Sequence, residues 1–527
     1  MNRRLLFGSA AVVIAVGGVA GGTQVVPYIS SSEIAASAGA TIPTVDLGEG
    51  STDLFDDAAT HEVSLDIDQT ALDELLSTYQ EDGEKTWVRA TITIDGVTIE
   101  DVGVRLKGNS TLRALSGSEG QMPGGMPGGG EQQGQPAMGD EAATSAAEDT
   151  ATGAAQPAGM ELPGGGGMDV GIDESDPATY PLLISFDHYV EGRVYQGRSE
   201  LSLRPGTPSL NEATALSLTA ATGQPTQDFG YVTYSVNDSA TTTRLVLENP
   251  DENYAAELGN GILYKADATS SFTYQGEDQT EYEGQFNQVN DEGSGDLQPI
   301  INLLKWLDEA SDEEFAAELG DHVDVESFAR YVATQNLLMN QDDMAGPGKN
   351  YYLWYDYDTG LISVVSWDLN MTMSGATDTA PTDSVSMSGG MPGDGAPGQQ
   401  DETATQSMTP PEGMTPPDQA QRPASGELPE GMVIPGQDGG GGMMGGNELK
   451  ERFLADDAFV ELYQGVYWEL YDQVYSSGAA TATIDQLAAS IPVTDGLPAE
   501  ELSVEVEQLR TWTAQRSEAL EVQRDSV

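Results

Sequence analysis

The sequence contains no cysteine among its 527 residues. This absence excludes disulfide bonds, thiolate metal sites, a cysteine nucleophile and a lipid anchor on cysteine. Positive charge is also scarce, since 21 Lys and Arg residues stand against 86 Asp and Glu residues and the net charge is −65. Because contacts to nucleic-acid phosphates need Lys and Arg, we expect no nucleic-acid partner. The same acidity suits divalent cations.

Lysine is especially rare. The six lysines are Lys85, Lys107, Lys265, Lys305, Lys349 and Lys450. Most of the acidic surface fits a general compositional habit of the organism. Against that background, a lysine inside a possible site is more informative than usual.

Residues 1–40 have the pattern of a targeting segment. Arg3 and Arg4 precede an apolar stretch from Leu5 to about Ala20, as in a secretory signal. The stretch is short for a membrane span, which needs about 20 residues, so a cleaved signal peptide and a retained membrane anchor both stay open. In either case we expect the body of the protein to be exported, after a linker at residues 41–60.

Two segments, at about residues 116–176 and 374–446, are dominated by Gly, Met, Pro and polar residues. They offer few aliphatic or aromatic side chains to bury, so we expect both to be disordered. They interrupt patterned sequence and are therefore predicted to be long insertions within one domain. The rest, about 390 residues, suffices for one large core.

Before residue 270 the patterned segments predict mostly strands. Asp95-Gly96 between two alternating runs predicts a hairpin, and Gly223 predicts the end of a helix. The predicted strands are Glu62–Ile67, Trp87–Ile94, Val97–Lys107, Tyr180–Asp187, Ser199–Leu203, Phe229–Val236, Thr243–Glu248 and Ile262–Ala266. The predicted helices of this half are Gln69–Tyr79, Asn211–Thr222 and Tyr254–Leu258.

The second half predicts mainly helices. Apolar residues in Val325–Met339 recur at helical spacing and predict a buried helix, whereas Tyr351–Tyr357 and Gly360–Trp367 predict a hairpin. The other predicted helices are Asp296–Leu307, Asp312–Leu319, Glu448–Tyr475, Thr483–Ala489 and Ala499–Val522. This order predicts an α+β fold with a β-rich N-terminal half and a helical C-terminal half.

Acidic and amide side chains follow two of these elements. Asn340-Gln341-Asp342-Asp343 comes at the end of a helix, Asn350 precedes the hairpin, and Ser366-Trp367-Asp368-Leu369-Asn370 follows it. Two carboxylates and an amide at loop ends suit a divalent cation and a polyphosphate. One carboxylate can orient a hydroxyl nucleophile while the other holds metal, so these parts are sufficient in kind for phosphoryl transfer.

Taken in order, these motifs resemble the CotH family of spore-coat and surface-associated kinases. The motifs that carry the resemblance are Val104-Arg105-Leu106-Lys107-Gly108-Asn109-Ser110, Tyr180–Asp187, Ser209–Gly223 before Gln224-Pro225, Leu245-Val246-Leu247-Glu248, Leu263-Tyr264-Lys265 and Trp367-Asp368-Leu369-Asn370. The resemblance covers about residues 60–475, interrupted by the two insertions. It implies an atypical bilobal protein-kinase-like fold over residues 61–475, followed by a C-terminal helical segment at residues 476–527.

The resemblance also implies transfer of the γ-phosphoryl group of ATP to Ser or Thr of a protein, with Mg²⁺ or Mn²⁺ as cofactor. On that template Asp342 is the catalytic aspartate and Asp368 binds the metal. Asn350 is a second metal ligand, although it follows Asp342 by eight residues, where ordinary kinases have about five. Asp343 competes with Asp342 for the role of base.

Three further residues are assigned to the nucleotide by the same resemblance. Lys107 would contact phosphate, Glu212 would pair with Lys107, and Glu248 would lie near the nucleotide base. The sequence departs from the family at Pro181–Asp187, which lacks the basic residues expected there. It also lacks a Gly-x-Gly-x-x-Gly phosphate loop.

Two other interpretations share these residues. A kinase-like fold can also catalyse nucleotidyl transfer or glutamylation, because metal and polyphosphate sites look alike in sequence. A non-enzymatic cell-envelope or adhesion protein is the other interpretation, which the Gly-Met-Pro insertions and scarce lysine favour slightly. The second insertion follows Asp368 closely, where kinases place the activation segment, so we expect it to gate or recruit substrate.

Overall fold

The computed structural model describes residues 44–108, 112, 115, 172–206, 208–290, 295–383, 385 and 446–525. The predicted targeting segment at residues 1–40 and most of both predicted insertions lie outside the described residues. Within these ranges, no helix is both long enough and apolar enough to span a membrane.

Strands and helices follow the predicted order. Within the described residues the strands are β1 (Val45–Asp46), β2 (His61–Ile67), β3 (Val88–Ile94), β4 (Val97–Leu106), β5 (Leu182–Ser185), β6 (Arg193–Val194), β7 (Glu200–Leu203), β8 (Phe229–Val236), β9 (Thr242–Glu248), β10 (Gly261–Ala266), β11 (Phe286–Gln288), β12 (Tyr351–Asp356) and β13 (Ile362–Ser366). The α-helices are α1 (Gln69–Asp82), α2 (Leu210–Ala221), α3 (Glu252–Leu258), α4 (Gln298–Glu309), α5 (Asp312–Glu318), α6 (Val325–Leu337), α7 (Glu448–Ala455), α8 (Asp457–Tyr471), α9 (Ala479–Ser490) and α10 (Ala499–Arg524). The predicted α+β class is confirmed.

Strands β2, β3, β4, β5, β7, β9 and β8 form, in that order, a closed barrel. Neighbours are antiparallel except β2 and β8, whose parallel pairing closes the barrel. The predicted turn joins β3 to β4, with φ angles of 49° at Asp95 and 82° at Gly96, as a two-residue hairpin requires. Alternate side chains fill the interior, so that Val63, Leu65 and Ile67 of β2 are buried together.

Strands β11, β10, β12 and β13 form a second, antiparallel sheet. Strands β12 and β13 are the predicted hairpin, and Tyr351 lies opposite Ser366. This register brings Asn350, just before β12, next to Trp367 and Asp368, just after β13. The hairpin therefore delivers an amide and a carboxylate at one end of the sheet.

Helix α6 lies at the centre of the helical part. Most of its residues from Phe328 onward are buried, and it packs against α8. Apolar residues of α9 and α10, including Ile484 and Leu520, join the same core. The predicted division at residue 475 is therefore wrong, because residues 476–525 complete the core that α6 begins.

The single helix predicted over Glu448–Tyr475 is divided at Asp456. The backbone of Asp456 is extended, with φ −87° and ψ 123°, and its side chain accepts a hydrogen bond from the N–H of Ala458 at 2.9 Å. An aspartate in this position caps a new helix because it satisfies an otherwise free N–H group. Apolar periodicity alone does not reveal such a break.

The described part of the predicted linker, from residue 44, is packed on the barrel. Strand β1 pairs in parallel with β6, and the N–H of Leu54 donates to Oε1 of Gln196 at 2.9 Å. Leu54 is 2% exposed. The prediction of a linker is wrong for this part of the chain. Its polar composition gives no indication of the few contacts that hold it in place.

Residues 374–383, predicted to begin the second insertion, also make ordered contacts. The carbonyl groups of Thr377 and Thr379 accept hydrogen bonds from Arg516, and the carbonyl group of Ala380 accepts one from Asn336. The predicted boundary at residue 374 is therefore wrong, because donors from two helices hold this segment. Most of the remaining insertion lies outside the described residues.

Candidate active site

Asp342 follows the C-terminal end of α6 in a tight loop. Leu338 closes the helix, and Met339 turns the chain with a left-handed φ of 54°. Nδ2 of Asn340 donates to Oε1 of Gln335 at 2.7 Å, and its Oδ1 accepts from the N–H of Asp342 at 3.1 Å. This buried amide network fixes the direction in which Asp342 leaves the helix.

Two donors hold the carboxylate of Asp342. The N–H of Gly348 donates to Oδ1 at 2.6 Å, and Nδ2 of Asn350 donates to Oδ2 at 3.0 Å. A Cβ atom at Gly346 or Gly348 would collide with these oxygens, so the close approach of the loop requires glycine. The structure thus brings Asp342 and Asn350 together despite their wide spacing in the sequence.

Burial raises the pKa of Asp342 to about 6, and the negative charges of Asp368 and Asp343 add to the rise. The hydrogen bond from Gly348 opposes it. A carboxylate with a pKa near 6 is ionised at neutral pH, yet it takes up a proton more readily than an ordinary aspartate. These properties suit a base that accepts a hydroxyl proton.

Asp343, the competing candidate for the base, has other partners. Lys450 of α7 forms an ion pair with its Oδ2, and its Oδ1 accepts from the N–H of Ala345 at 2.8 Å. The side chain is 3% exposed. Because both oxygens serve the packing of the loop, Asp342 is favoured as the reactive carboxylate.

Asp368 follows β13 with a left-handed backbone, at φ 54° and ψ 64°. Its Oδ1 accepts a hydrogen bond from Nη2 of Arg204, and its side chain remains 25% exposed. The charge of Asp368 helps to raise the pKa of Asp342. The two predicted carboxylates therefore share one electrostatic environment.

Glu212 lies in the first turn of α2 and pairs with Arg204. Nε of Arg204 donates to Oε2 of Glu212 at 2.7 Å, whereas Nζ of Lys107 donates to Oδ1 of Asn249 at 2.6 Å. The predicted pairing of Glu212 with Lys107 is therefore wrong, because Glu212 pairs with Arg204, the residue after β7. Burial raises the pKa of Glu212 to about 6, and the charge of Arg204 opposes this rise.

Lys107 and Lys265 both lie over the ring of Trp367, with Nζ 5.0 and 4.8 Å from its centroid. Burial lowers the pKa of Lys107 well below its usual value, and the charges of Lys265 and Arg204 lower it further. Burial also lowers the pKa of Lys265, which the charge of Asp368 opposes. Half-buried ammonium groups that repel each other would be stabilised by a bound anion.

Two further cations, Lys85 and Arg105, join Lys107, Arg204 and Lys265. We call these five residues the cationic cluster. Burial lowers the pKa of Arg105, and its Nε is buried with no hydrogen-bond partner in the described part of the chain. Burial lowers the pKa of Lys85 to about 8, as do the charges of Arg105 and Lys265. Thus five of only 21 basic residues meet in a protein of net charge −65.

No role for Arg105, Arg204 or Lys265 follows from the sequence alone. Strand β5 lacks the basic residues that the resemblance implies there. The cations come instead from the loop before β3, from β4 and the residue after it, from β10 and from the residue after β7. Arg105 and Lys265 stand within the family motifs, and the rarity of lysine is the signal that could identify Lys265. Only the spatial arrangement identifies Arg204.

Glu248 ends β9 in a neighbouring ionic group. Its Oε1 lies 3.8 Å from Nε of Arg198, and its Oε2 accepts from the N–H of Asp228 at 3.3 Å. Burial raises the pKa of Glu248 to about 7. The following residue, Asn249, accepts the hydrogen bond from Lys107, so the end of β9 reaches the cationic cluster. The position of Glu248 near a nucleotide base stays a prediction.

The donor set can be compared with the needs of a divalent cation. Asp368 and Asn350 supply oxygen donors of the kind that Mg²⁺ prefers, beside the carboxylate of Asp342. Among the described residues, no three His, Cys, Asp or Glu side chains form a group that could hold a metal by themselves. Magnesium usually keeps water and binds phosphate oxygens as well, so this set fits an ion that arrives with a nucleotide. The unpartnered Nε of Arg105 fits a phosphate oxygen.

Comparison with known proteins identifies the family. The model of the CotH kinase protein family matches residues 178–520, which is more than half of the 527 residues, and the chain belongs to this family. Inner spore coat protein H of Bacillus subtilis (strain 168) is 27% identical over 157 residues, which are 28% of this chain and 41% of that protein. The chain thus spans about two fifths of the length of this relative. The resemblance predicted from the motifs is confirmed.

Proposed function

We propose that this protein is a protein kinase that transfers the γ-phosphoryl group of ATP to Ser or Thr of exported or cell-surface proteins, with Mg²⁺ or Mn²⁺ as cofactor. The observation that carries the proposal is the proximity of Asp342, Asn350 and Asp368 to the cationic cluster. Carboxylates beside several cations suit a metal-bound polyphosphate. Membership of the CotH kinase family supports the same reaction.

The residues of the chain divide the work of this reaction. As the acceptor hydroxyl oxygen attacks the γ-phosphorus, Asp342 accepts its proton. The bond from the γ-phosphorus to the bridging oxygen breaks, and ADP leaves with that electron pair. Lys107, Lys265 and Arg105 hold phosphate oxygens by charge, while Asn350 keeps Asp342 oriented through its 3.0 Å hydrogen bond.

Asp368 and Asn350 would hold the metal ion. Because Nδ2 of Asn350 donates to Asp342, its amide oxygen is the atom left to bind metal. When bound, the ion supplies positive charge that neutralises the phosphates during transfer. Arg204 supplies a second positive charge to Asp368 from the protein side.

The location of the acceptors is part of the proposal. The basic and apolar N-terminal sequence supports export, and the Bacillus relative is named as an inner spore coat protein. A retained N-terminal segment would hold the kinase at the outer face of the membrane, whereas cleavage would release it. In both cases its acceptors are proteins that have left the cytoplasm.

Phosphoryl transfer from γ-labelled ATP to a Ser-rich protein acceptor tests the proposal. Label should appear with the wild type in the presence of Mg²⁺ or Mn²⁺ and be absent with Asp342→Ala and with Asp368→Ala. Asp485→Ala, at an exposed ion pair with Arg510, is the matched control and should keep full activity. Transfer that survives both site substitutions would contradict the proposal.

A further inference from the structure

One guanidinium group connects helix α2 to the residue after β13. Arg204 donates through Nε to Glu212 and through Nη2 to Asp368. Its side chain is 9% exposed and that of Glu212 is 1% exposed. Two charged contacts from one planar group fix both distance and angle, which a single lysine contact cannot do.

The backbone of Arg204 is itself held in place. Its N–H donates to the carbonyl of Leu245 at 2.9 Å, and its carbonyl accepts from Nε of Arg244 at 2.9 Å. Arg244 is 1% exposed and also donates to the carbonyl of Tyr180. Arg204 is therefore anchored to the barrel and can act as a fixed reference point for Asp368.

Asp368 depends on such support because its conformation is unfavourable. A left-handed backbone is costly for a residue other than glycine, and it persists only where surrounding contacts impose it. A second link comes from Asn211, next to Glu212 on α2, whose Nδ2 donates to the carbonyls of Asn370 and Thr372 at 2.7 and 3.1 Å. Helix α2 thus contacts the chain both at Asp368 and just beyond it.

We propose that Arg204 is the positioning residue that, itself held by Glu212 of helix α2, orients the metal-binding carboxylate of Asp368. This inference rests on the proposed function, because it concerns how Asp368 is oriented for a metal and nucleotide. It replaces the Lys107–Glu212 pair of the kinase template with a chain of three residues. Lys107 donates a hydrogen bond to Asn249 and is available to bind the phosphates.

A double-mutant cycle on the affinity for ATP with Mn²⁺, measured by calorimetry, tests this chain. Glu212→Gln should weaken binding by about tenfold in the wild-type background and by the same factor in Lys107→Gln. In the Arg204→Gln background, Glu212→Gln should not weaken the binding of ATP any further. The reason is that Glu212 acts through Arg204 and would be an unpaired buried acid without it. Arg204→Lys should recover only part of the affinity, since it keeps the charge without the fork.

The matched control is Arg89→Gln, which breaks an exposed ion pair with Asp101 on the barrel and should leave binding unchanged. If Arg204→Gln does not fold, the cycle with Arg204→Lys decides the same question. The inference would be overturned if Glu212→Gln weakened the binding of ATP equally in the Arg204 variants and in the wild type. It would also be overturned if this loss of affinity disappeared only in the Lys107→Gln background. Wild-type protein that binds ATP without transferring phosphoryl would contradict the proposed function alone. No binding by wild type would contradict both.

Discussion

Lys450 forms an ion pair with Asp343 across 107 positions of sequence. The pair joins the loop after α6 to α7, and only 3% of the Asp343 side chain and 11% of the Lys450 side chain are exposed. The same loop carries Asp342, whose carboxylate binds Gly348 and Asn350 instead. One of two adjacent aspartates thus anchors the loop, and the other is available for chemistry.

This division of roles predicts opposite effects of two similar substitutions. Asp343→Asn should lower the free energy of unfolding by about 3 kcal/mol, because it leaves the Lys450 ammonium buried without a counter-ion. Asp342→Asn should change stability little but reduce phosphoryl transfer by about 10²–10⁴-fold. Urea denaturation and initial rates measure the two effects. Stable Asp343→Asn protein without activity would contradict this division.

Lys265 is predicted to bind phosphate. Lys265→Met should weaken the binding of ATP by about tenfold or more, because the charge of a half-buried ammonium group is lost while the apolar stem is kept. Calorimetric titration measures the affinity, and Lys305→Met is the matched control at an exposed ion pair with Glu277. Unchanged affinity in Lys265→Met would remove this lysine from the phosphate site.

Arg516 of α10 is predicted to hold the segment that follows Asp368. Its buried guanidinium donates to the carbonyls of Thr377, Thr379 and Asn336. Arg516→Met should lower the free energy of unfolding by about 3 kcal/mol, since one buried and two partly buried carbonyl groups lose their donor. It should also expose residues 375–383 to limited proteolysis, whereas Arg510→Met on the same helix should not. Unaltered cleavage in Arg516→Met would show that other contacts hold the segment.

Glu248 predicts a pH dependence of stability. Its pKa lies at about 7 in the fold against 4.5 ordinarily, so between these values the folded protein binds a proton that the unfolded chain has released. Stability contributed by this group is therefore present below about pH 4.5 and is lost as pH rises through about 7, by up to about 3 kcal/mol. Glu248→Gln should flatten this decline in urea denaturation series from pH 4 to pH 8.

The matched control for Glu248→Gln is Glu62→Gln, at an exposed position of β2. It should leave the pH dependence of the wild type unchanged. A decline that is equally steep in Glu248→Gln would assign the effect to other acids.

Features governed by local chemistry could be predicted from the sequence. The turn at Asp95-Gly96 follows from residues that tolerate positive φ angles, and α6 follows from its apolar spacing. The hairpin that delivers Asn350 and Asp368 was likewise predicted from its own residues. Each of these depends on neighbours within about one turn or one strand.

Features governed by distant contacts could not be predicted. Arg204 lies 164 positions from Asp368, and no local pattern indicates that the two form an ion pair. The choice between Asp342 and Asp343 depends on Lys450, beyond the second insertion. The break at Asp456 depends on whether a capping residue prevails over apolar periodicity, which packing decides.

Phosphoryl transfer is tested most directly by the intact mass of a purified Ser-rich acceptor after incubation with ATP and Mn²⁺. The same incubation with ATP labelled on either the α- or the γ-phosphate shows which phosphate is transferred. We predict that wild-type protein adds the mass of phosphoryl groups and transfers only the γ-label, and that Asp342→Asn adds neither. Addition of a nucleotide, transfer of the α-label, or an unmodified acceptor with protein that binds ATP would contradict the assignment of this site to phosphoryl transfer.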